Sequence, residues 1–571
     1  MHQCIRLLRH PAPARILGRR LLTTARPLRQ QQQQATPGDG LREKFYVTQP
    51  IFYVNSVPHI GHFYTVVLAD VIKRFADLQG KQTKLSAGTD EHGLKIQQAA
   101  ERAQEDTLAF CTRFSSRFED LIVASNASVT DFIRTTDRRH YAMVEWFWQR
   151  LVDRGFIYKG RHEGWYAVSD EAFYTSGQVE ERVDAATGKP GMFAIESGQP
   201  VEWVEEVNYK FRLSQFRDQL LAWIEEDPDR IYPEIRRNEV LAWLRAGLDD
   251  LSVSRPYSRL QWGIPVPGDS EHTIYVWVDA LVNYLTVDWV PGDKLDMFPP
   301  DVQVVGKDIV RFHAVYWPAL LMAAGLPTPR RILAHAHWTM GGQKMSKSKG
   351  NVVDPFMAIS QFGLDPLRYF IVRNGGIAND GDYSNEEVLV RYKKDLVGQL
   401  ANLASRCLSD RVGANIDGFA AIGSAQQQQA AVVDPRDVSL RQALMELPER
   451  VGPLFEKGEF GRGMALIFDV LAQANRHVTG NEPWNLVKMT DPKAQARLQT
   501  VLFYSLEAVR LAAIMLQPVM PDKATRLLDH LAVADGDRRW ADARFGVGWP
   551  HSSQGRHQPL AGVSKLFPKL E

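Results

Sequence analysis

Cysteine is nearly absent from this sequence. The 571 residues hold three, Cys4, Cys111 and Cys407, far apart in the chain. That excludes a disulfide framework and a four-thiolate metal site. No unbroken apolar run approaches the roughly 20 residues of a membrane-spanning helix, so no membrane partner is expected. A general excess of positive charge is missing too. Beyond residue 42 the chain has 60 basic and 66 acidic residues, a net of −6. A nucleic-acid partner would therefore have to be held by local patches and shape. The length is too great for one core and implies several domains.

The first 42 residues lack lysine and carry one acid, Asp39, against eight arginines. Leu7, Leu8, Ile16, Leu17, Leu21 and Leu22 are interleaved with the arginines, and Thr23 and Thr24 follow. Arg-rich, hydroxylated, acid-poor and amphipathic is the composition of a mitochondrial transit peptide. Residues 1–43 are therefore expected to be a presequence and linker directing the chain to the mitochondrial matrix, with Gln30–Gln34 as a flexible spacer.

The remainder predicts an α/β protein followed by helices. "KFYVTQ" (44–49) reads as a buried strand, "PIFYVNSVP" (50–58) as a loop, and 61–78 as a helix with an apolar stripe ended by Gly80. "QTKLSAGTDEHG" (82–93) reads as a strand running into a Gly-Thr-Asp turn. Strand, helix, strand implies parallel pairing, with ligands at the carboxyl ends of the strands. The expected divisions are a Rossmann-type first half (44–155), an inserted module (156–250) and a second half (251–384). A helical domain (385–535) and a tail (536–571) follow. Ser384 with Glu387 reads as a capping box opening the helical part, and heptad-like stripes run through 385–410, 437–478 and 493–518. "AQQQQAA" (425–431) reads as a loop.

Two stretches carry chemistry. In "PHIGHFYTVVLAD" (58–70), His59, Gly61 and His62 stand where a helix begins. A helix start gathers unpaired N–H groups and attracts anions, glycine admits a close ligand, and imidazoles donate to phosphate oxygens. "QKMSKSKGNVVDP" (343–355) sets three lysines, Lys344, Lys347 and Lys349, among serines before Gly350. Such a loop can wrap a polyphosphate, and positioning with charge stabilisation is most of what nucleotidyl transfer requires. Singly, each is also an ordinary helix cap or a solvated loop.

Together, H-I-G-H at 59–62 and K-M-S-K-S at 344–348 resemble the two defining motifs of class I aminoacyl-tRNA synthetases. The resemblance implies that the two flank ATP on a Rossmann-type sheet, with His59, Gly61 and His62 around the nucleotide and Lys344 and Lys347 on the departing pyrophosphate. The finer motifs are similar to the methionyl-tRNA synthetases, the mitochondrial and bacterial ones most of all. They are "AGTDEHG", "YVWVDALVNY", "GKDIVRFHAVYWPALL", "AHAHWTMGGQKMSKSKGN", "NLASR" and "NEPW". The 285 positions between the two motif starts are few for the leucine, isoleucine and valine enzymes, and the cysteine enzyme would need zinc thiolates.

Carried over position by position, the resemblance implies a methionine pocket of Ile51, Tyr53, Asp90, Trp277, Ala280, Leu281, Tyr284, Ile309 and His313. Asp90 would pair with the ammonium group, and aromatic rings suit a soft thioether. Gly306 and Asp308 match the positions that meet the ATP ribose. Asn402, Arg406 and Trp484 match those that read the tRNA(Met) anticodon. The expected ligands are ATP with Mg²⁺, L-methionine and tRNA(Met). No bound zinc is expected, because Ala167 and Asp170 stand where related enzymes place a cysteine pair. The family's appended C-terminal domain is not recognisable, so a monomer is expected. A non-catalytic RNA-binding relative of the same fold is the alternative, and intact motifs speak against it.

Overall fold

The structure, a computed structural model, describes residues 42–568 and 570, apart from 169–171, 175, 185–187, 196, 291–293, 346–349, 410–411, 413–432 and 550–565. The presequence, Lys347, Asp170 and the glutamine-rich 425–431 stretch lie outside the described residues.

The chain opens with β1 (Lys44–Thr48), β2 (Phe52–Tyr53), α1 (Ile60–Leu78) and β3 (Gln82–Asp90), then α2 (Leu94–Ala103), α3 (Thr107–Ala124), β4 (Asp131–Arg134) and α4 (Arg138–Asp153). The expected loop at 50–58 thus contains a short strand. Pro50 has no N–H to give a ladder, so pairing with β3 stops after Thr48 and resumes at Phe52 with the register shifted by one residue, from Thr48↔Ser86 to Phe52↔Thr89. The Gly-Thr-Asp expected as a turn is strand instead. Pairing with β2 on one edge and β4 on the other carries β3 through Thr89, and the turn comes after Asp90.

Next come β5 (Ile157–Ala167), β6 (Ala172–Tyr174), β7 (Val179–Val183), β8 (Pro190–Ala194), β9 (Glu202–Phe211), α5 (Arg217–Glu225), β10 (Ile231–Tyr232), α6 (Glu234–Ala246) and β11 (Leu251–Ser252). The strands β11-β9-β5-β6 form an antiparallel sheet. The stretch 156–250 divides among three sheets, however: β7 pairs with β8 in a two-stranded hairpin, and β10 pairs in parallel with a strand of the main sheet. Then follow β12 (Ser254–Pro256), β13 (Pro265–Val266), β14 (Asp269–Ile274), α7 (Val276–Thr286), β15 (Trp289–Val290), β16 (Lys294–Leu295), β17 (Val302–Gly306), α8 (Trp317–Ala324) and β18 (Ile332–His335). The main sheet runs β10-β18-β17-β1-β3-β2, with β4 also on β3, and every pairing in it is parallel. This is the Rossmann-type arrangement implied by the strand-helix order.

A small sheet of β19 (Trp338–Met340), β20 (Gln343–Lys344) and β21 (Gly381–Asp382) carries Lys344, with α9 (Pro355–Phe362) and α10 (Leu364–Asn374) between β20 and β21 in the chain. The helical part comprises α11 (Asn385–Arg391), running through a π-helical stretch into α12 (Asn402–Cys407), then α13 (Val438–Glu456), α14 (Phe460–Asn481), α15 (Pro483–Leu486), α16 (Pro492–Leu516) and α17 (Pro521–His530). Ser384 caps α11 by accepting the Glu387 N–H at 3.1 Å. The stripe at 437–478 belongs to two helices, broken where Gly458 takes a φ of +82°. α16 has the length and apolarity of a membrane span, but 89% of its most apolar window is packed inside the protein, which makes it the core of the bundle. The tail beyond 535 folds back: Trp540 packs edge-on against Phe75 of α1, and Trp549 Nε1 donates to buried Glu507 at 2.7 Å.

Candidate active site and anticodon face

His59 is the N-cap of α1, in extended conformation. Its Nδ1 accepts the Gly61 N–H at 3.1 Å, while the His59 N–H donates to His62 Nδ1 at 3.1 Å. The two imidazoles therefore form a reciprocal capping box, a task usually done by Ser or Thr with Glu. In each ring Nδ1 accepts, so the proton of the neutral ring resides on Nε2. The rings stack at 3.8 Å, and the edges of Phe52 and Phe118 hold His62 from the sides. Desolvation, then the neighbouring His59, pushes the His62 pKa well below its ordinary value and keeps the ring neutral. Gly61 is required here, since a Cβ would stand 2.9 Å from His59 Cε1. Ile60 N–H donates to the Val353 carbonyl at 3.0 Å, tying the helix start to the backbone after the lysine loop.

The strand ends supply the next groups. β3 ends at Asp90 and β17 at Gly306, and Asp308 lies on the 3-10 turn that follows. A Cβ on Gly306 would meet Asp308 Oδ1 at 2.7 Å, so any larger residue there would displace the carboxylate. His337 Nε2 donates to Asp308 Oδ1 at 3.1 Å. Desolvation opposes ionisation of Asp308, but this hydrogen bond and the His337 charge outweigh it and hold the pKa down at about 2. Asp380 accepts both Lys307 Nζ at 2.7 Å and the His337 N–H at 2.9 Å, joining this turn to the base of the lysine arm. His337 and Asp380 were missed from sequence. His337 lay inside the quoted "AHAHW" stretch, but Asp380 carries no local signal.

Behind these lies an aromatic pocket. Trp277, Ala280, Leu281 and Tyr284 recur on α7 at helical spacing. His313 sits on a single π-helical turn, Phe312–Tyr316. The Ile309 carbonyl can only accept, so His313 Nδ1–H donates to it at 2.9 Å, and Nε2 accepts the Tyr284 hydroxyl at 2.8 Å. Burial lowers the His313 pKa to about 4, so the ring is neutral. Phe312 lies flat on Trp277 with ring centres 3.7 Å apart, an addition to the expected set. Lys344 is exposed on the β19–β20 arm, which Asp382 braces by accepting from Thr339 Oγ1 at 2.7 Å and Gly342 N–H at 2.9 Å.

Ile51, Tyr53, His59, Gly61, His62, Asp90, Trp277, Ala280, Leu281, Tyr284, Gly306, Asp308, Ile309, His313 and Lys344 all line one cleft of about 1600 Å³. That exceeds the roughly 300–1,000 Å³ of a pocket for one small ligand. The excess extends toward Arg161 and Trp203 of the antiparallel sheet. Ala167 is buried in that sheet. Among the described residues, no three His, Cys, Asp or Glu side chains converge as a metal site.

The helical residues form a second group. Arg406 stands 5.0 Å over the Trp484 ring and donates to Thr479 Oγ1 at 3.1 Å, and Asn402 Nδ2 donates to Asn475 Oδ1 at 3.4 Å. Asn475 and Thr479, one turn apart on α14, seat both residues. The backbone turns sharply at Glu482, with φ +45°, to present the half-buried Trp484.

The chain matches the family model "tRNA synthetases class I (M)" over residues 45–408 and "Anticodon binding domain of methionyl tRNA ligase" over 429–548. It is 44% identical to the probable mitochondrial methionine-tRNA ligase of Neurospora crassa, over 89% of this chain and 83% of that protein. It is 41% identical to the human mitochondrial methionine-tRNA ligase, over 93% and 92%. Among solved structures it is similar to Mycobacterium tuberculosis methionyl-tRNA synthetase in complex with methionyl-adenylate. That match has a TM-score of 0.83 and 39% identity, covering 92% of this chain and all of the other. The two family models follow one another along the chain in the order of one family, and the chain belongs to it: the methionine-tRNA ligases of the class I aminoacyl-tRNA synthetases.

Proposed function

We propose that the cleft joins methionine to ATP and then to tRNA(Met), with the residue roles that follow. Asp90 takes the ammonium group of methionine, and the thioether lies among Trp277, Ala280, Leu281, Tyr284, Ile309 and His313, with Ile51 and Tyr53 closing the near side. A methionine carboxylate oxygen attacks the α-phosphorus in line. The new bond is carboxylate oxygen to phosphorus, and the bond to the β-phosphate oxygen breaks, so pyrophosphate leaves with the electron pair. No side-chain nucleophile is needed. The work is orientation and stabilisation of developing charge.

The Nε2–H groups of His59 and His62 donate to the triphosphate, and Lys344 and Lys347 neutralise the departing pyrophosphate. Gly306 admits the ribose and Asp308 accepts from its hydroxyls. Mg²⁺ would arrive with ATP and would supply positive charge beside the triphosphate, adding to that of Lys344 and Lys347. The adenylate neighbour described above supports ATP as the second substrate. In the second step the terminal adenosine of the tRNA attacks the methionyl carbonyl and AMP leaves. Asn402, Arg406 and Trp484 read the anticodon. The reading places this work in the mitochondrial matrix and takes the protein as a monomer; the mitochondrial relatives and the arginine-rich first 42 residues support the mitochondrial part of it.

The observation that carries the reading is the pair of Nε2-protonated histidines opening into the same cleft as Asp90 and the Tyr284–His313 pocket. The test is ATP–pyrophosphate exchange with each of the twenty amino acids. Methionine alone should support rapid exchange, and Asp90→Ala should abolish it without unfolding the protein. Equal exchange with isoleucine or valine, or an unchanged Asp90→Ala rate, would refute the assignment.

A further inference from the structure

His92, Asp279 and His140 form a buried cluster that lines no part of the cleft. Their side chains are 1%, 1% and 0% exposed. His92 Nδ1 donates to Asp279 Oδ2 at 2.6 Å, and His140 Nε2 donates to Oδ1 of the same carboxylate at 2.7 Å. The outer nitrogens are engaged as well: His92 Nε2 meets the Tyr141 hydroxyl at 3.1 Å, and His140 Nδ1 meets Thr286 Oγ1 at 2.9 Å. Every polar atom of the two rings and the carboxylate has a partner. A buried network satisfied in this way resists displacement.

Its position gives it a role. α7 carries two stripes: Trp277, Ala280, Leu281 and Tyr284 face the cleft, whereas Asp279 and Thr286 face α4. Asp279 therefore grips the back of the helix whose front is the thioether pocket. His92 lies two residues after Asp90, in the turn that presents the ammonium partner. Between them Glu91 is fixed independently. It accepts Arg134 Nε at 2.7 Å and Nη2 at 2.9 Å, together with the Thr89 and Thr136 hydroxyls, and its carbonyl accepts Trp262 Nε1 at 2.6 Å. The turn is thus a rigid body, and His92–Asp279 ties it directly to α7. One end of the methionine site is Asp90, the other is Tyr284 with His313, and this pair joins their supports.

We propose that His92 and Asp279 are positioning residues that set the span between Asp90 and the thioether pocket, and so select the amino acid by side-chain length. The proposal rests on the methionine reading of that pocket. Neither residue touches substrate. Each acts by holding two walls at a fixed separation, and misplacing a bound reactant by about 1 Å is costly. Loosening the tie lets the walls adjust to a longer or shorter guest, so discrimination falls before chemistry does.

The experiment compares ATP–pyrophosphate exchange with methionine, homocysteine and ethionine, with rates normalised to active sites by the adenylate burst. Asp279→Asn keeps the volume and one strong acceptor but removes the charge. It is expected to raise the methionine KM about fivefold or more and to lower the methionine-over-ethionine ratio of kcat/KM by a similar factor, with the ATP KM unchanged. His92→Asn sets an amide nitrogen near the Nδ1 position and should keep the ratio within about twofold, whereas His92→Leu should not. Leu528→Ala, a buried change in α17 far from the cleft, controls for lost stability.

An equal loss for all three amino acids with an unchanged ratio, as the Leu528→Ala control should give, overturns the proposal and returns the cluster to a purely structural role. If Asp279→Asn does not fold, the His92→Asn and His92→Leu pair decides by the same criterion. Failure of the underlying reading looks different: wild-type protein without methionine-dependent exchange, or an Asp90→Ala variant indistinguishable from it, refutes the pocket itself and the proposal with it.

Discussion

Arg368 of α10 and Asp70 of α1 pair at 2.6 Å with both side chains wholly buried. Arg368 also donates to the carbonyls of Ser125 at 2.9 Å, Val519 at 2.9 Å and Pro518 at 3.0 Å. Asp70 also accepts the Ser128 N–H and hydroxyl, each at 2.7 Å, and Arg74 Nε at 2.8 Å. One guanidinium thereby links the helix that opens on the histidine motif, the end of α3, and the turn after α16 in the helical domain. Catalytic and helical domains share a continuous apolar core at this joint.

Removing one partner of such a pair strands a buried charge, which costs about 3–5 kcal/mol. Arg368→Leu is expected to lower unfolding stability by that order. The double variant with Asp70→Asn should cost less than the two single changes together, because the second change removes the stranded charge. Denaturant melts of the four proteins measure both. Additive losses would mean that the pair is not coupled.

The capping geometry separates two roles of His59. Asparagine is among the best N-cap residues, so His59→Asn keeps an acceptor for the Gly61 N–H but has no donor at the Nε2 position. Melting temperature should stay close to wild type. The exchange rate should fall by about 10²–10³-fold, the loss typical of one donor to transition-state charge. A rate within threefold of wild type would show that His59 is a cap and nothing more.

The two motifs were legible because each is local. A helix start with histidines and a serine-lysine loop announce themselves in a few residues, and the strand-helix alternation predicts the parallel sheet that brings them together. What was not legible depends on partners distant in sequence. Phe52 and Tyr53 are a strand only because Thr89 and Asp90 lie beside them. Ile231 and Tyr232 leave the antiparallel module for the main sheet because Ile332 and Leu333 offer an edge. Asp380 reaches the turn after β17 through Lys307, 73 positions earlier. Asp279 carries no signal of its own in "YVWVDALVNY", because its partners His92 and His140 are 187 and 139 positions away.

Acid should weaken the fold through the neutral buried histidines. Burial, the largest cause in each, lowers His313 and His335 to a pKa of about 4. In the unfolded chain both return to about 6.5. Between these values the unfolded state binds more protons, so stability rises with pH in that window. It is complete above about pH 7 and is lost as pH falls toward 4. Each ring accounts for about 1 kcal/mol by pH 5.5. Melting temperature should therefore drop between pH 7 and 5, and His335→Gln should show a shallower slope there despite a lower plateau. An unaltered slope would mean that His335 titrates normally in the fold.

The last prediction concerns Trp484. Its ring is half-buried, with Arg406 over one face, and the polar side chains of Asn402, Asn475 and Thr479 lie on the neighbouring helices. If the indole stacks on an anticodon base, Trp484→Ala should remove roughly 1–3 kcal/mol of tRNA binding, the scale of base–aromatic stacking. That corresponds to about 5- to 150-fold in the charging step. Methionine activation belongs to the catalytic cleft and should barely change. Partial burial predicts a modest loss of stability, below the roughly 3–5 kcal/mol of a fully buried tryptophan. Melting, exchange and aminoacylation are to be measured together. Weakened charging with near-normal melting and exchange assigns Trp484 to the anticodon, whereas parallel loss of all three assigns it to the core, with Arg406 merely covering it.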